Sequence, residues 1–308
     1  MLNILIKRKR DERFIPLQKP KPGSWIYVAA PTPEDISFLK KVMKIPEDFI
    51  EASLDPAEQP RVEVEGENVL IILKAPNRVR EEIETETLGV IFAGGYAITI
   101  SRKALGILER IISSRPKGLA TTQHTRFFLH IFSEVTATFL RHLKDIESEL
   151  EKLERKVEHS LTNEEIYALL KVQKTLTYFK NATTGNSHVF DKILNGKILK
   201  LYEEDVDLLE DIIVDNRQAI EMINTYIEIL SNTMDAYASI VSNNLNIIMK
   251  ILTVVSIVLS IPVAIASYYG MNVALPLQHH PNAFWIVFLI SILLSAVSYW
   301  IIKKAGWI

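Results

Sequence analysis

Four consecutive residues, Tyr269-Gly270-Met271-Asn272, sit where one apolar segment ends and a short polar loop leads into a second and final apolar segment. If the first segment crosses a bilayer, the tetrapeptide lies at its mouth, because non-helical backbone survives at membrane depth only where it lines a cavity or is buried in protein. Its carbonyls and the Asn272 amide then make an uncharged group of oxygens at an aqueous entrance. Such a group suits a cation that keeps its water shell, and Mg2+ is the biological cation that dehydrates most reluctantly.

Upstream, Asn246, Thr253, Ser256, Ser260 and Ser267 recur at intervals of three, four and seven. That spacing puts them on one helical face, with Met249, Leu252 and Val263 at or beside it. Serine and threonine also glue membrane helices together. A stripe that begins at an amide and ends just before Gly270 is read as the lining of a pore. Leu252 and Met249 would form a constriction that closes by dewetting. Pro262 removes a backbone hydrogen bond and should bend the helix, as a tolerated kink or as a flexible point of a gate.

A third group precedes the membrane. Glu203, Asp207, Asp211 and Asp215 repeat every four residues and stack like charges, which costs a few tenths of a kcal/mol per pair unless something neutralises them. A solvated face, basic residues of a neighbouring helix, or divalent cations held between subunits would each relieve the row.

These groups need elements to hold them. Residues 251–268 and 283–302 carry no charge, and each approaches the roughly 20 residues that cross a bilayer. Lys250 flanks the first and Lys303-Lys304 the second, whereas the connecting loop has no Lys or Arg, so both termini are expected in the cytoplasm of a cell-membrane protein. Trp285, Tyr299, Trp300 and Trp307 fit interfacial aromatic belts. The first six residues are too short an apolar run for a signal peptide, and Lys7-Arg8-Lys9-Arg10 reads as a solvated edge. A net charge of −2 points to no nucleic-acid partner, and the absence of cysteine excludes disulfides, thiolate metal sites and cysteine nucleophiles. No nucleophile–base pair or ATP-binding loop stands out, so no enzyme is expected.

The expected fold class is α+β. Residues 1–118 form a cytoplasmic α/β domain, with strands near 25–29, 61–64, 69–74, 88–92 and 97–101. A helix starts at Thr32-Pro33-Glu34-Asp35 and a second covers about 46–53. Residues 119–245 form a helical arm and stalk, and 246–308 a transmembrane domain with helices at about 247–269 and 283–302. Phe139, Leu143, Ile146, Leu150, Leu153 and Val157 alternate by four and three, the seam of a coiled-coil hairpin whose returning helix begins at Thr162 with a capping box. Residues 181–186 read as a break in that helix. From Leu209 through Ile213, Asn216, Ile220, Ile223, Ile227 and Leu230, and on to Ile248, heptad spacing runs into the membrane without a stop signal. A helix over about 205–268 would be roughly 95 Å long and must bury its seam against the arm or copies of itself.

The tetrapeptide at this position resembles the signature of the CorA family of divalent-metal ion transporters. Ile261-Pro262, Ser242-Asn243-Asn244-Leu245-Asn246, Lys303-Lys304 with Trp307, and Arg61-Val62-Glu63 after Pro60 are similar to the family pattern. The resemblance implies a funnel-shaped homopentamer in the lipid bilayer that passes Mg2+, and often Co2+ or Ni2+, down its electrochemical gradient. It implies that Gly270 (backbone) and Asn272 (side chain) select the hydrated ion. Asn246 and Leu252 would stand at the cytoplasmic end of the pore and Asp235 near its inner mouth. Asp211 would bind a regulatory Mg2+ between subunits, with Glu81 and Glu82 as candidates for the second carboxylate. The loop over 273–282 departs from the family in having no carboxylate, and His279-His280 stands there instead. A zinc transporter of the same fold is one alternative, against which Met271 argues; a non-conducting membrane-anchored sensor is the other.

Overall fold

The strands near the N-terminus obey a two-residue period on both faces. In the computed structural model, which describes residues 1–79, 82–114, 118–157, 163–196 and 198–307, they form a seven-stranded sheet. In chain order these are β1 (Leu2–Ile6), β2 (Ile15–Pro16), β3 (Trp25–Ala29), β4 (Arg61–Glu65), β5 (Asn68–Val79), β6 (Glu82–Ala93) and β7 (Tyr96–Ser101). Their spatial order is β2-β1-β3-β7-β6-β5-β4, antiparallel except for the β3–β7 pair. The parallel pair needs a crossover, and the chain between β3 and β7 supplies two helices, α1 (Pro33–Lys41) and α2 (Glu47–Leu54), with β4, β5 and β6.

Side chains from alternate positions enter two separate cores. Ile26, Val28, Ile98 and Ile100 pack with Leu39 of α1 and Phe49 and Ile50 of α2. From the other face Trp25 meets Phe127 at 5.0 Å between ring centroids and donates through Nε1 to Thr99 Oγ1 at 2.9 Å. Phe127 belongs to α4 (His124–Val157), which follows α3 (Gly106–Ser114). The α1 start is as expected: Thr32 and Asp35 form a reciprocal capping box with proline at the first turn. The five expected strands are all present, and β1 and β2 add to them. Lys7 departs from the solvated-edge reading. It is fully buried, its amide donating to Thr121 Oγ1 and its ammonium to the Asp11 carbonyl at 2.7 Å.

The hairpin of α4 and α5 (Asn163–Gly196) buries Phe139, Leu143, Ile146, Leu150 and Leu153 against Leu169, Val172, Leu176 and Phe179. The expected capping box at Thr162 and the Val157 side chain lie outside the described residues. The expected break at 181–186 is absent, because α5 runs straight through it. Its small and polar residues serve a close approach instead. A Cβ at Gly185 would come within 2.7 Å of Pro60, and Asn186 hydrogen-bonds both backbone groups of Lys74.

The long helix is α6 (Glu203–Tyr269). Its buried positions before Leu230, itself buried, are Asp205, Leu209, Ile212, Asn216, Ala219, Ile223 and Tyr226. The expected seam shared Leu209, Asn216, Ile223 and Leu230 but took Ile213, Ile220 and Ile227 as the alternate members. These three are only half-buried. The chain divides into two compact units, Met1–Ser231 and Asn232–Ile308. The second holds the remainder of α6 and α7 (Ala283–Lys304), whose apolar stretches have mean hydropathy 2.4 and 2.3. Only 6% of each stretch is buried within the chain. A core helix of a soluble protein would be mostly covered, so these two have the length and exposure of membrane spans. α6 remains helical through Pro262.

Candidate functional site

At the end of α6 the backbone tightens. The Gly270 amide donates to the carbonyls of Ala266 at 2.9 Å and Ser267 at 3.2 Å, and the Met271 amide to Tyr268 at 3.2 Å. Gly270 does not have a positive φ. A Cβ there would touch only the Ala266 and Ser267 carbonyls at 3.4 and 3.5 Å, which is near ordinary contact. Among the described residues nothing therefore requires glycine at this position. Met271 is 53% exposed, and Asn272 is also exposed, with no hydrogen bond to its amide among the described residues. Tyr269 is anchored by its hydroxyl, which donates to the Pro276 carbonyl at 3.4 Å.

The faces of α6 in the second unit are divided between α7 and the outside. Val254 is buried, and Val258, Ile261, Pro262 and Ile265 are half-buried on the same side. Ser295 of α7 reaches this side, its hydroxyl lying 3.2 Å from the Val258 carbonyl. At 3.6 residues per turn, Asn246, Met249, Leu252, Thr253, Ser256, Ser260, Val263 and Ser267 centre on the opposite side, and all eight are exposed. Four of their hydroxyls donate back to their own helix. Thr253, Ser256, Ser260 and Ser267 reach the carbonyls of Met249, Leu252, Ile257 and Val263, each at 2.8 Å. This satisfies the donors and leaves the oxygen lone pairs outward.

Within the chain, the serines packed between the two apolar helices are on α7. Ser291 and Ser295 on α7 are buried, with Ser295 also donating to the Ser291 carbonyl at 2.9 Å. Two serines four apart in an apolar helix are the sequence sign of this packing face.

The acid row of α6 is solvent-facing. Glu203, Asp207, Asp211 and Asp215 are exposed, and among the described residues no ion pair reaches them. The neighbouring Glu204 does pair, with Arg126. Glu81 lies outside the described residues; Glu82 begins β6, but its side chain is likewise outside them. Asp235 is exposed in the second unit. Among the described residues no three histidine or carboxylate side chains cluster to hold a metal within one chain. In the loop, the His280 Nδ1 accepts from the Asn282 amide at 3.1 Å, which withdraws that nitrogen from chelation with His279.

Residues 21–304 match the model of the family described as CorA-like Mg2+ transporter protein. The chain is 34% identical over 290 residues to the cobalt/magnesium transport protein CorA of Methanocaldococcus jannaschii, covering 92% of this chain and 91% of the relative. It is 21% identical over 315 residues to the protein of the same name from Thermotoga maritima, covering 96% and 87%. The complete structure of the CorA magnesium transporter from M. jannaschii superposes with a TM-score of 0.87 at 28% identity, over 100% of this chain and 99% of that one. The full-length CmaX protein shares the fold at a TM-score of 0.75 and 16% identity, over 99% of this chain and 97% of that one. The two apolar helices, the exposed Gly-Met-Asn turn and these matches place the chain in the CorA-like Mg2+ transporter family.

Proposed function

We propose that copies of this chain assemble as a homopentamer whose α6 helices surround a passage for hydrated divalent cations, Mg2+ foremost, with Co2+ or Ni2+ as further substrates. The observation that carries this reading is the placement of the hydroxyl and amide stripe opposite the face that α7 covers. A polar stripe facing lipid would be unfavourable; a polar stripe facing a shared axis is solvated. Gly270 and Asn272 form the entrance, where a carbonyl and a free amide oxygen meet the ion's water shell. The ion moves down its gradient without ATP, since a divalent charge gains roughly 4.6 kcal/mol on entering a cell 100 mV negative inside. Both termini are cytoplasmic in this reading, as the Lys250 and Lys303-Lys304 flanks support.

Regulation follows from the unpaired acids. Divalent ions bridging Asp211, with Asp207 and Asp215 beside it, to a carboxylate of an adjacent copy (Glu81 or Glu82) would hold the helices closed. Loss of those ions would release like-charge repulsion and widen the Leu252 and Met249 constriction. The deciding experiment is 28Mg2+ or fluorescent-indicator flux in proteoliposomes. Wild-type protein passes the ion and Asn272→Ala does not; equal flux from both would remove the entrance assigned here.

A further inference from the structure

A cavity of about 820 Å3 opens between residues 56–60, β5 and β6 on one side and one face of α5 on the other, within the first unit. This lies in the size range of small-molecule sites, and neither the conduction path nor the acid row contributes to it. Its lining carries four cations, Lys74, Arg102, Lys171 and Lys174, against two carboxylates, Glu84 and Glu86. The carboxylates are already answered. Glu86, 2% exposed, takes Arg102 at 3.1 Å and Lys103 at 2.6 Å, and Glu84 takes Lys103 at 2.8 Å.

Among the described residues no carboxylate is in direct contact with the Lys74 ammonium, and Glu86, Asp55 and Glu58 attract it only at longer range. Lys74 is 9% exposed, and its ammonium donates to the Pro56 carbonyl at 2.7 Å and the Thr87 hydroxyl at 2.9 Å, both neutral. A buried ammonium with no carboxylate in contact is costly, and burial pushes its pKa down against the pull of those three acids. A third donor remains on this nitrogen. On the facing helix, Tyr167 and Tyr178 lie three turns apart on one side, 71% and 45% exposed, with the Lys174 ammonium 5.8 Å from the Tyr178 ring. Exposed rings beside ammonium groups offer a stacking surface next to an anion site.

We propose that this cavity binds a nucleoside phosphate, its phosphates meeting Lys74 and Lys174 and its base lying against Tyr178. The phosphates bring an anion into direct contact with the Lys74 ammonium, whose present acceptors are neutral. The base covers apolar and aromatic surface that the single chain leaves open. Such a ligand would tie β5 and β6 to α5.

Calorimetric titration of the full chain in detergent tests this, in magnesium-free buffer with EDTA so that ion chelation contributes no heat. ADP is expected to saturate one site per chain. Lys174→Glu and Tyr178→Ala should each weaken it by roughly tenfold, the loss of one good contact, and Lys74→Met by more, with its folding verified by circular dichroism. Lys41→Glu, on exposed surface of α1, should leave ADP binding unchanged. Absence of saturable binding up to about 1 mM ADP, or equal affinity in Lys174→Glu, Tyr178→Ala and wild type, would overturn the site. Pyrophosphate binding as tightly as ADP would overturn the role of the base. Binding is read without transport, so failure here leaves the proposed conduction untouched, and the converse holds.

Discussion

Asn186 of α5 completes the hydrogen bonding of Lys74 in β5: its Oδ1 accepts from the Lys74 amide at 2.9 Å and its Nδ2 donates to the Lys74 carbonyl at 2.8 Å. β4 pairs with β5 only as far as Arg61 opposite Ile72. Continuing that register would bring Gln59 opposite Lys74, but Pro60 intervenes and cannot donate to a ladder. A side-chain amide on a helix thus substitutes for a missing strand residue. Asn186→Leu leaves a buried amide and carbonyl unpaired, each costing about 1–3 kcal/mol. The unfolding temperature of the purified chain should fall by several degrees, while Asn195→Ala, an exposed change on the same helix, should leave it within about a degree.

That contact also shows why residues 181–186 misled. Asn, Thr and Gly inside a helical pattern signal a break when no partner is known; here Gly185 admits Pro60 and Asn186 serves a strand 112 positions away. Such reasons are tertiary and leave no local trace. The five central strands and the α1 cap were readable because alternation and capping are local rules. β1 escaped because Met1 to Ile6 offers only a short apolar run, and Lys7 because its acceptors come from a turn and from Thr121. On α6 the period was legible and the burial register was not. Ile212 and Ile213 are both isoleucine, so the choice between them depends on where the hairpin packs. The polar stripe was legible in full, since its face follows from spacing alone.

Three histidines of α4 make the first unit sensitive to acid. His124, His130 and His142 are held below the ordinary imidazole range, each by burial first. Arg78 and Arg141 lower His142 further, against Asp145, whose carboxylate is 3.6 Å away and too far for a good hydrogen bond. Glu134 opposes the shift at His130. With native values depressed, the unfolded chain binds more protons below about pH 6.5. The stability from neutral burial is therefore complete above that pH and declines as pH falls toward the native values. Thermal unfolding scanned from pH 7.5 to 5 should show a falling midpoint, and His142→Gln should flatten the fall. An unchanged slope in that variant would assign the acid sensitivity elsewhere.

Tyr226 gives the opposite limb. Its hydroxyl is pushed up to about 12, by burial first and then by Glu147 of α4. Between about pH 10 and 12 the native chain retains a proton that the unfolded chain has lost, so stability falls as pH rises through that window. Tyr226→Phe removes this titration. Its unfolding midpoint between pH 10 and 11.5 should fall less steeply than that of wild type.

The glycine of the entrance can be tested apart from folding. Since a Cβ at Gly270 meets only two carbonyls at 3.4 and 3.5 Å, Gly270→Ala should fold, insert and oligomerise normally. Under the proposed function it should nonetheless reduce Mg2+ flux by at least about tenfold, a loss of some 1.4 kcal/mol at the entrance. Size-exclusion profiles and flux measured on the same preparation separate the two effects. Full flux from a well-folded Gly270→Ala would mean that no ion or neighbouring copy approaches this backbone.

Asp211 separates gating from conduction. It is exposed and without an ion pair among the described residues, so Asp211→Ala removes no contact within the chain and should leave stability within about 0.5 kcal/mol of wild type. If bridging cations close the pore, the variant should conduct at low internal Mg2+ as wild type does and resist inhibition as internal Mg2+ rises. The concentration for half-inhibition should move upward by roughly tenfold for the loss of one carboxylate ligand. Asp207→Ala and Asp215→Ala, one turn to either side, should shift it less, because a bridged ion takes its strongest ligand from one level of the helix. Equal small shifts from all three would point to diffuse screening of the acid row rather than a bound ion, and no shift from any would detach regulation from α6.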